Sequence, residues 1–137
     1  MIEFLFLFKN FKMRHSIQTT DAPSAIGPYS QAVLVNGFLY TSGQIAIDPK
    51  TGELNDENLK TEVTQVMENL KAVLNAAELD FSQVVKTTIF LKDMDDFEEV
   101  NRIYASYFSN NYPARETVQV AKLPKNVRVE ISMVVVK

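Results

Sequence analysis

Two side chains in the last quarter of the chain have the chemistry of a site. Arg115 follows Pro113 and Ala114 just ahead of one apolar segment, and Glu130 stands between Val129 and Ile131 inside another. A guanidinium is a rigid, permanently charged fork that binds carboxylates and phosphates through paired hydrogen bonds. A carboxyl set among valines loses hydration, and its pKa rises towards the range useful for proton transfer near neutrality. Together they offer a grip for a small anion and an acid–base group. Each also has an ordinary reading. Arg115 could pair with Glu116 at the surface, and Glu130 could form a cross-strand salt bridge with Arg128 or Arg115.

The rest of the composition narrows the chemistry. The 137 residues include no cysteine and a single histidine, His15. That excludes disulfides, thiolate zinc sites and Cys nucleophiles, and it argues against a His-based metal cluster or a Ser-His-Asp triad. The net charge of −3 argues against general affinity for nucleic acid. Lys122, Lys125 and Arg128 form a small basic cluster that reads as a solvated face. Gly27, Gly37, Gly43 and Gly52 fit no phosphate-loop spacing. No apolar run is long enough to span a membrane. The apolar start, MIEFLFLF, has no basic region before it and reads as no secretory signal. Met1–Lys12 is expected to be an extension dispensable for function, with Met13 an alternative start. Residues 13–137 are expected to form one domain, and the protein to be cytoplasmic.

The positioning elements follow from periodicity and turn chemistry. His15–Thr19 reads as a short edge strand, and Asp21–Pro28 as a loop closed by Tyr29. Ser30–Val35 and Phe38–Thr41 are strands joined by Asn36-Gly37, a type I′ hairpin signal. Ser42-Gly43-Gln44 ends the second strand. Leu59–Leu79 carries an apolar stripe of period 3.6, with Glu62, Glu68, Lys71 and Glu78 on the wet side. Val84–Leu91 is a β-branched strand. Asp95, with Glu98 three residues on, resembles a capping box opening a second helix. Phe97, Val100, Tyr104 and Phe108 form its apolar face, and Asn101 falls among them, where a buried amide needs a partner. Glu116–Lys122 and Val127–Val136 are final strands, read as a pair joined by the Leu-Pro-Lys-Asn turn. The predicted class is α+β, with about six strands in one sheet and two helices on one face. The last strand is apolar on both faces near its end, so a partner subunit is expected to cover the face the helices leave open.

Four segments then carry a resemblance: IGPYSQAV (Ile26–Val33), YTSGQI (Tyr40–Ile45), VVKTTIFLKDMDDFEEVN (Val84–Asn101) and PARETVQVAKLPKNVRVEI (Pro113–Ile131). In order and spacing they resemble the RidA (YjgF) family, across about Ser16–Val136. The resemblance implies a chorismate-mutase-like α+β fold and a homotrimer with a central barrel and sites between subunits. It implies hydrolysis of 2-iminobutanoate and 2-iminopropanoate, released by pyridoxal-phosphate enzymes, to 2-oxo acids and ammonia, with no metal and no cofactor. The residues it singles out are Tyr29, Ser42, Gly43, Asn101, Arg115 and Glu130. Many members read PARSC where this chain reads PARET, so Thr117 stands in the place of a cysteine. On this reading Arg115, Glu130, Tyr29 and Ser42 act in catalysis, and Gly43, Asn101 and Thr117 join Arg115 in binding substrate. Rival readings are a non-catalytic ligand-binding or regulatory trimer, a ribonuclease or translation inhibitor, and a chaperone-like holdase.

Overall fold

The structure, a computed structural model, describes residues 13–137; the expectations for Met1–Lys12 fall outside the described residues. The chain runs β1 (His15–Ile17), β2 (Ala32–Val35), β3 (Phe38–Thr41), α1 (Leu59–Ala76), β4 (Val84–Leu91), α2 (Phe97–Ala105), β5 (Ala114–Gln119) and β6 (Val129–Val136). The strands form one mixed six-stranded sheet in the order β1-β2-β3-β6-β4-β5. No helix among the described residues is long and apolar enough to cross a membrane.

The predicted order of elements is the observed one. At Asn36-Gly37 both φ angles are positive, 53° and 78°, and Val35 faces Phe38, as a two-residue turn requires. The final pair of strands is a correction. β5 and β6 are not a hairpin. β5 lies at the sheet edge, parallel to β4 through the α2 crossover, while β6 runs antiparallel between β3 and β4. The segment around Pro124–Asn126 carries the chain past β4, with left-handed backbone at Lys125 and Asn126. A strand apolar on both faces belongs in the middle of a sheet, and β6 takes that place.

α1 lays Val63, Val66, Met67, Leu70, Val73 and Leu74 on the alternating buried residues of β6: Val129, Ile131, Met133 and Val135. Asn58 caps its N-terminus by accepting from the Thr61 N–H. Its C-terminus closes in a Schellman arrangement, with Glu78 N–H to Asn75 O and Leu79 N–H to Leu74 O, both 2.9 Å. Glu62, expected on the wet side, is fully buried. The Asp95 cap is a second correction. The Asp93 carboxylate takes the Asp95 N–H at 2.9 Å and opens a short 3₁₀ turn, so α2 starts later, after Asp96, which makes no side-chain cap.

Both helices lie on one face of the sheet. α1 packs on β6 and against α2, and the α2 residue Tyr104 donates its hydroxyl to Thr87 of β4, which is in register with Met133. The other face carries Phe38 and Tyr40, both partly exposed, with Val134, Val136, Phe90 and Val118.

Candidate functional site

Glu130 is placed by a bulge. Tyr40 pairs with Val134, and the next pairing of the two segments is Gln44 with Ile131. Four steps on one strand therefore match three on the other, so one extra residue is inserted at Thr41–Gly43. The ladder resumes through Gln44 N–H to Ile131 O at 2.8 Å and Ile131 N–H to Gln44 O at 3.1 Å. The bulge brings Gly43 flat against the Glu130 side chain. A Cβ on Gly43 would stand 2.7 Å from the Glu130 carboxyl carbon and closer still to Oε1. Glycine is needed here for space, because the carboxylate occupies the volume of the missing side chain.

The half-buried Glu130 carboxyl is pushed above its ordinary range by desolvation. It opens on a cavity of about 610 Å³, lined by Tyr29, Gln31, Ser42, Gly43, Ile45 and Ile47 among others. Gln31 stitches the preceding loop: its amide donates to Thr19 O and Pro23 O at 3.0 and 2.8 Å and accepts from the Thr19 N–H at 2.7 Å. Tyr29 stands exposed at the cavity, its hydroxyl accepting from the Ile26 N–H at 3.3 Å. Ser42 donates its hydroxyl to Ser30 O at 2.5 Å, which ties the β3 end to the loop. That hydroxyl proton is already committed to backbone.

Arg115 is built from the other direction. Its guanidinium carbon lies 5.1 Å from the Tyr104 ring centroid and 5.6 Å from that of Phe97. Nη1 donates to Asn101 Oδ1 at 2.6 Å. Stacking and one hydrogen bond fix the plane of the fork and leave further N–H groups for a ligand. Among the described residues no carboxylate forms an ion pair with it, and Glu116 instead takes Lys86 at 2.8 Å and Thr88 at 2.9 Å. Asn101 therefore finds its partner in Arg115, rather than in a backbone group. Together with Tyr104, Ala105, Tyr112 and Pro113 they line a second hollow of about 440 Å³. Thr117, two residues on, keeps its hydroxyl oxygen buried without a hydrogen-bond partner.

The sequence-predicted residues thus fall into two groups. Tyr29, Ser42, Gly43 and Glu130 share one cavity; Arg115 and Asn101 share the other. Within one chain these groups do not meet. Glu130 is in register with Phe90 on the open face of the sheet, whereas Arg115 is in register with Thr87 on the helix face. The salt bridge considered for Glu130 is absent: Arg128 bonds the buried Glu62. Arg128 therefore leaves the solvated basic cluster, and Lys125 lines the Glu130 cavity. Residues missed in the sequence are Phe97 and Tyr104 as stacking partners, and Gln31, Ile45 and Ile47 as cavity walls. The first two were read only as apolar helix face, although an aromatic pair seven residues apart on one face flanks whatever lies between them.

Comparison with known proteins bears on what the two groups belong to. Residues 19–137 match the family model described as Endoribonuclease L-PSP. The chain is 50% identical over 125 residues to the human 2-iminobutanoate/2-iminopropanoate deaminase, covering 91% of each. Its fold superposes on that of RidA from the Antarctic bacterium Psychrobacter with a TM-score of 0.86 and 45% identity, over 90% of this chain and 99% of that one. Escherichia coli TdcF, solved with bound serine, matches with a TM-score of 0.86 and 40% identity, over 90% and 98% of the two chains. The expected α+β fold and the family resemblance both hold, and the chain belongs to the Endoribonuclease L-PSP family, the RidA or YjgF family.

Proposed function

We propose that the protein is a 2-iminobutanoate/2-iminopropanoate deaminase that hydrolyses small 2-imino acids, released by pyridoxal-phosphate enzymes in the cytoplasm, to 2-oxo acids and ammonia. One observation carries the reading. In a chain half identical to the human deaminase, an aromatic-stacked guanidinium has no acidic partner among the described residues, and a half-buried carboxyl faces a cavity. The serine bound to the related TdcF is a ligand of similar size with the same carboxylate handle.

Arg115 grips the substrate carboxylate with two N–H groups, while Asn101 holds the fork in plane. Glu130 takes a proton from water as the water oxygen bonds to C2. The C=N π electrons move to nitrogen. Glu130 returns that proton to nitrogen, which gives the carbinolamine; it then carries the hydroxyl proton to the amine, the C–N bond breaks as the C2–O bond becomes the carbonyl, and ammonia leaves the 2-oxo acid. The raised carboxyl pKa suits both transfers. The Gly43 N–H and Tyr29 hydroxyl orient the intermediate. Ser42 contributes by fixing the bulge, and Thr117 by its backbone beside Arg115. Because Arg115 and Glu130 lie on opposite faces of one sheet, the complete site takes Arg115 from one subunit and Glu130 from its neighbour. A homotrimer with a central barrel provides that cleft and covers Phe38, Tyr40, Val134 and Val136.

The test is an imine-hydrolysis assay coupled to an enamine-generating dehydratase. Wild type accelerates loss of the imine, and Arg115→Ala brings the rate to background. Full activity in Arg115→Ala overturns the carboxylate grip.

A further inference from the structure

The buried face of helix α1 is apolar with two exceptions. Glu62 and Asn69 are both buried, 0% and 1% exposed, within the stripe of Val63, Val66, Met67 and Leu70. They stand seven residues apart, about two turns on one face. Neither lines the Glu130 cavity. A buried carboxylate and a buried amide cost stability unless fully bonded, so their bonds identify their work.

Glu62 reaches β6. Its Oε1 accepts from the Arg128 backbone N–H at 2.8 Å, and Oε2 accepts from Arg128 Nε. Arg128 in turn donates to Asp56 O at 2.8 Å. The backbone held this way is two residues ahead of Glu130. Asn69 reaches the other wall. Its amide donates to Ile45 O at 3.1 Å and Ile47 O at 2.9 Å, and its Oδ1 accepts from Gln65 Nε2 at 2.8 Å. The backbone held this way begins two residues after Gly43, and Ile45 and Ile47 line the cavity. One helix thus clamps the segment after β3 and the residue before β6, which flank the contact that seats the carboxylate against Gly43.

We propose that Glu62 and Asn69 are positioning residues for the deaminase reaction, α1 acting as a splint that fixes the depth of Glu130 against Gly43. The inference rests on the role given to Glu130 above. It differs from a role in folding alone. An apolar replacement of a buried ion pair commonly preserves or raises stability, so a purely structural Glu62–Arg128 pair is replaceable without kinetic consequence. A positioning pair is not, because small displacements of a proton-transfer group cost rate.

The experiment compares wild type, Glu62→Met with Arg128→Met, Asn69→Leu, and Glu130→Gln in the coupled imine assay, with melting curves for each. The double apolar variant still unfolds cooperatively, at a lower temperature than wild type because the Arg128 N–H loses its acceptor. Its kcat, and that of Asn69→Leu, fall by about tenfold or more while KM stays within about twofold, since Arg115 is held by Asn101, Tyr104 and Phe97 and by neither splint residue. Wild-type kcat in a folded Glu62→Met/Arg128→Met protein overturns the assignment of Glu62, and wild-type kcat in folded Asn69→Leu overturns that of Asn69. An inactive Glu130→Gln beside fully active splint variants sinks this inference alone. An active Glu130→Gln sinks the catalytic reading on which it rests.

Discussion

Glu130 carries a cost to the fold, and the proposed reaction gives that cost a use. Burial holds its carboxyl pKa above the ordinary value, so the folded state keeps the proton more tightly than the unfolded chain. The sign of the linkage follows: the stabilisation is full below the unfolded pKa and is lost as pH rises through the folded one. Glu130→Gln removes the buried charge. Its melting temperature therefore exceeds that of wild type at neutral pH, and the gap closes below about pH 4, where glutamate is protonated in both states. The same variant loses about 10²–10⁴-fold in kcat, the usual contribution of a positioned acid–base group. Gly43→Ala tests the seat of that carboxyl. The added methyl overlaps the Glu130 carboxyl, so the side chain must rotate away. Turnover falls at least about tenfold with little change in stability, as read by steady-state kinetics beside a melting curve. At this scale the sequence marked the two charged side chains but not their neighbours. Asn101 stood out as a polar residue on an apolar face, yet its partner Arg115 is 14 residues away and on another element. Glu62 was misread because its partner Arg128 is 66 residues away, and a glutamate at the edge of a helical stripe resembles any solvated one.

The elements were legible where a local rule decides them. The apolar stripe marked α1, Asn36-Gly37 gave the β2–β3 turn, and the β-branched run of β6 identified a strand. Tertiary competition decided the rest. The capping box at Asp95 lost to a 3₁₀ turn held by Asp93. The β5–β6 hairpin gave way to a crossover because β6 satisfies two neighbours at once. The bulge at Thr41–Gly43 had only the hint of a glycine. One further element carries a prediction. Glu78 ends α1 with φ of 60°, a conformation that costs an L-residue about 1–2 kcal/mol. Glu78→Gly relieves that strain while loosening the unfolded chain, for a net gain of about 0.5 kcal/mol. A urea melt registers the gain as a higher midpoint at unchanged slope, and a lower midpoint contradicts the capping account.

At the scale of the whole molecule, sheet geometry separates the two halves of the chemistry. Register places Arg115 with Thr87 on the helix face and Glu130 with Phe90 on the open face. No side-chain rotation brings a guanidinium through a sheet, so a site using both draws on two copies of the chain. The apolar open face, with Phe38 and Tyr40 exposed beside Val134 and Val136, gives those copies a reason to associate. Subunit mixing measures this directly. Arg115→Ala and Glu130→Gln proteins, each inactive alone in the coupled imine assay, are co-expressed in equal amounts. If each site takes Arg115 from one subunit and Glu130 from the next, random assembly restores about a quarter of wild-type activity, the product of two even chances. Mixed assemblies with no activity above that of the two parents would contradict the shared site.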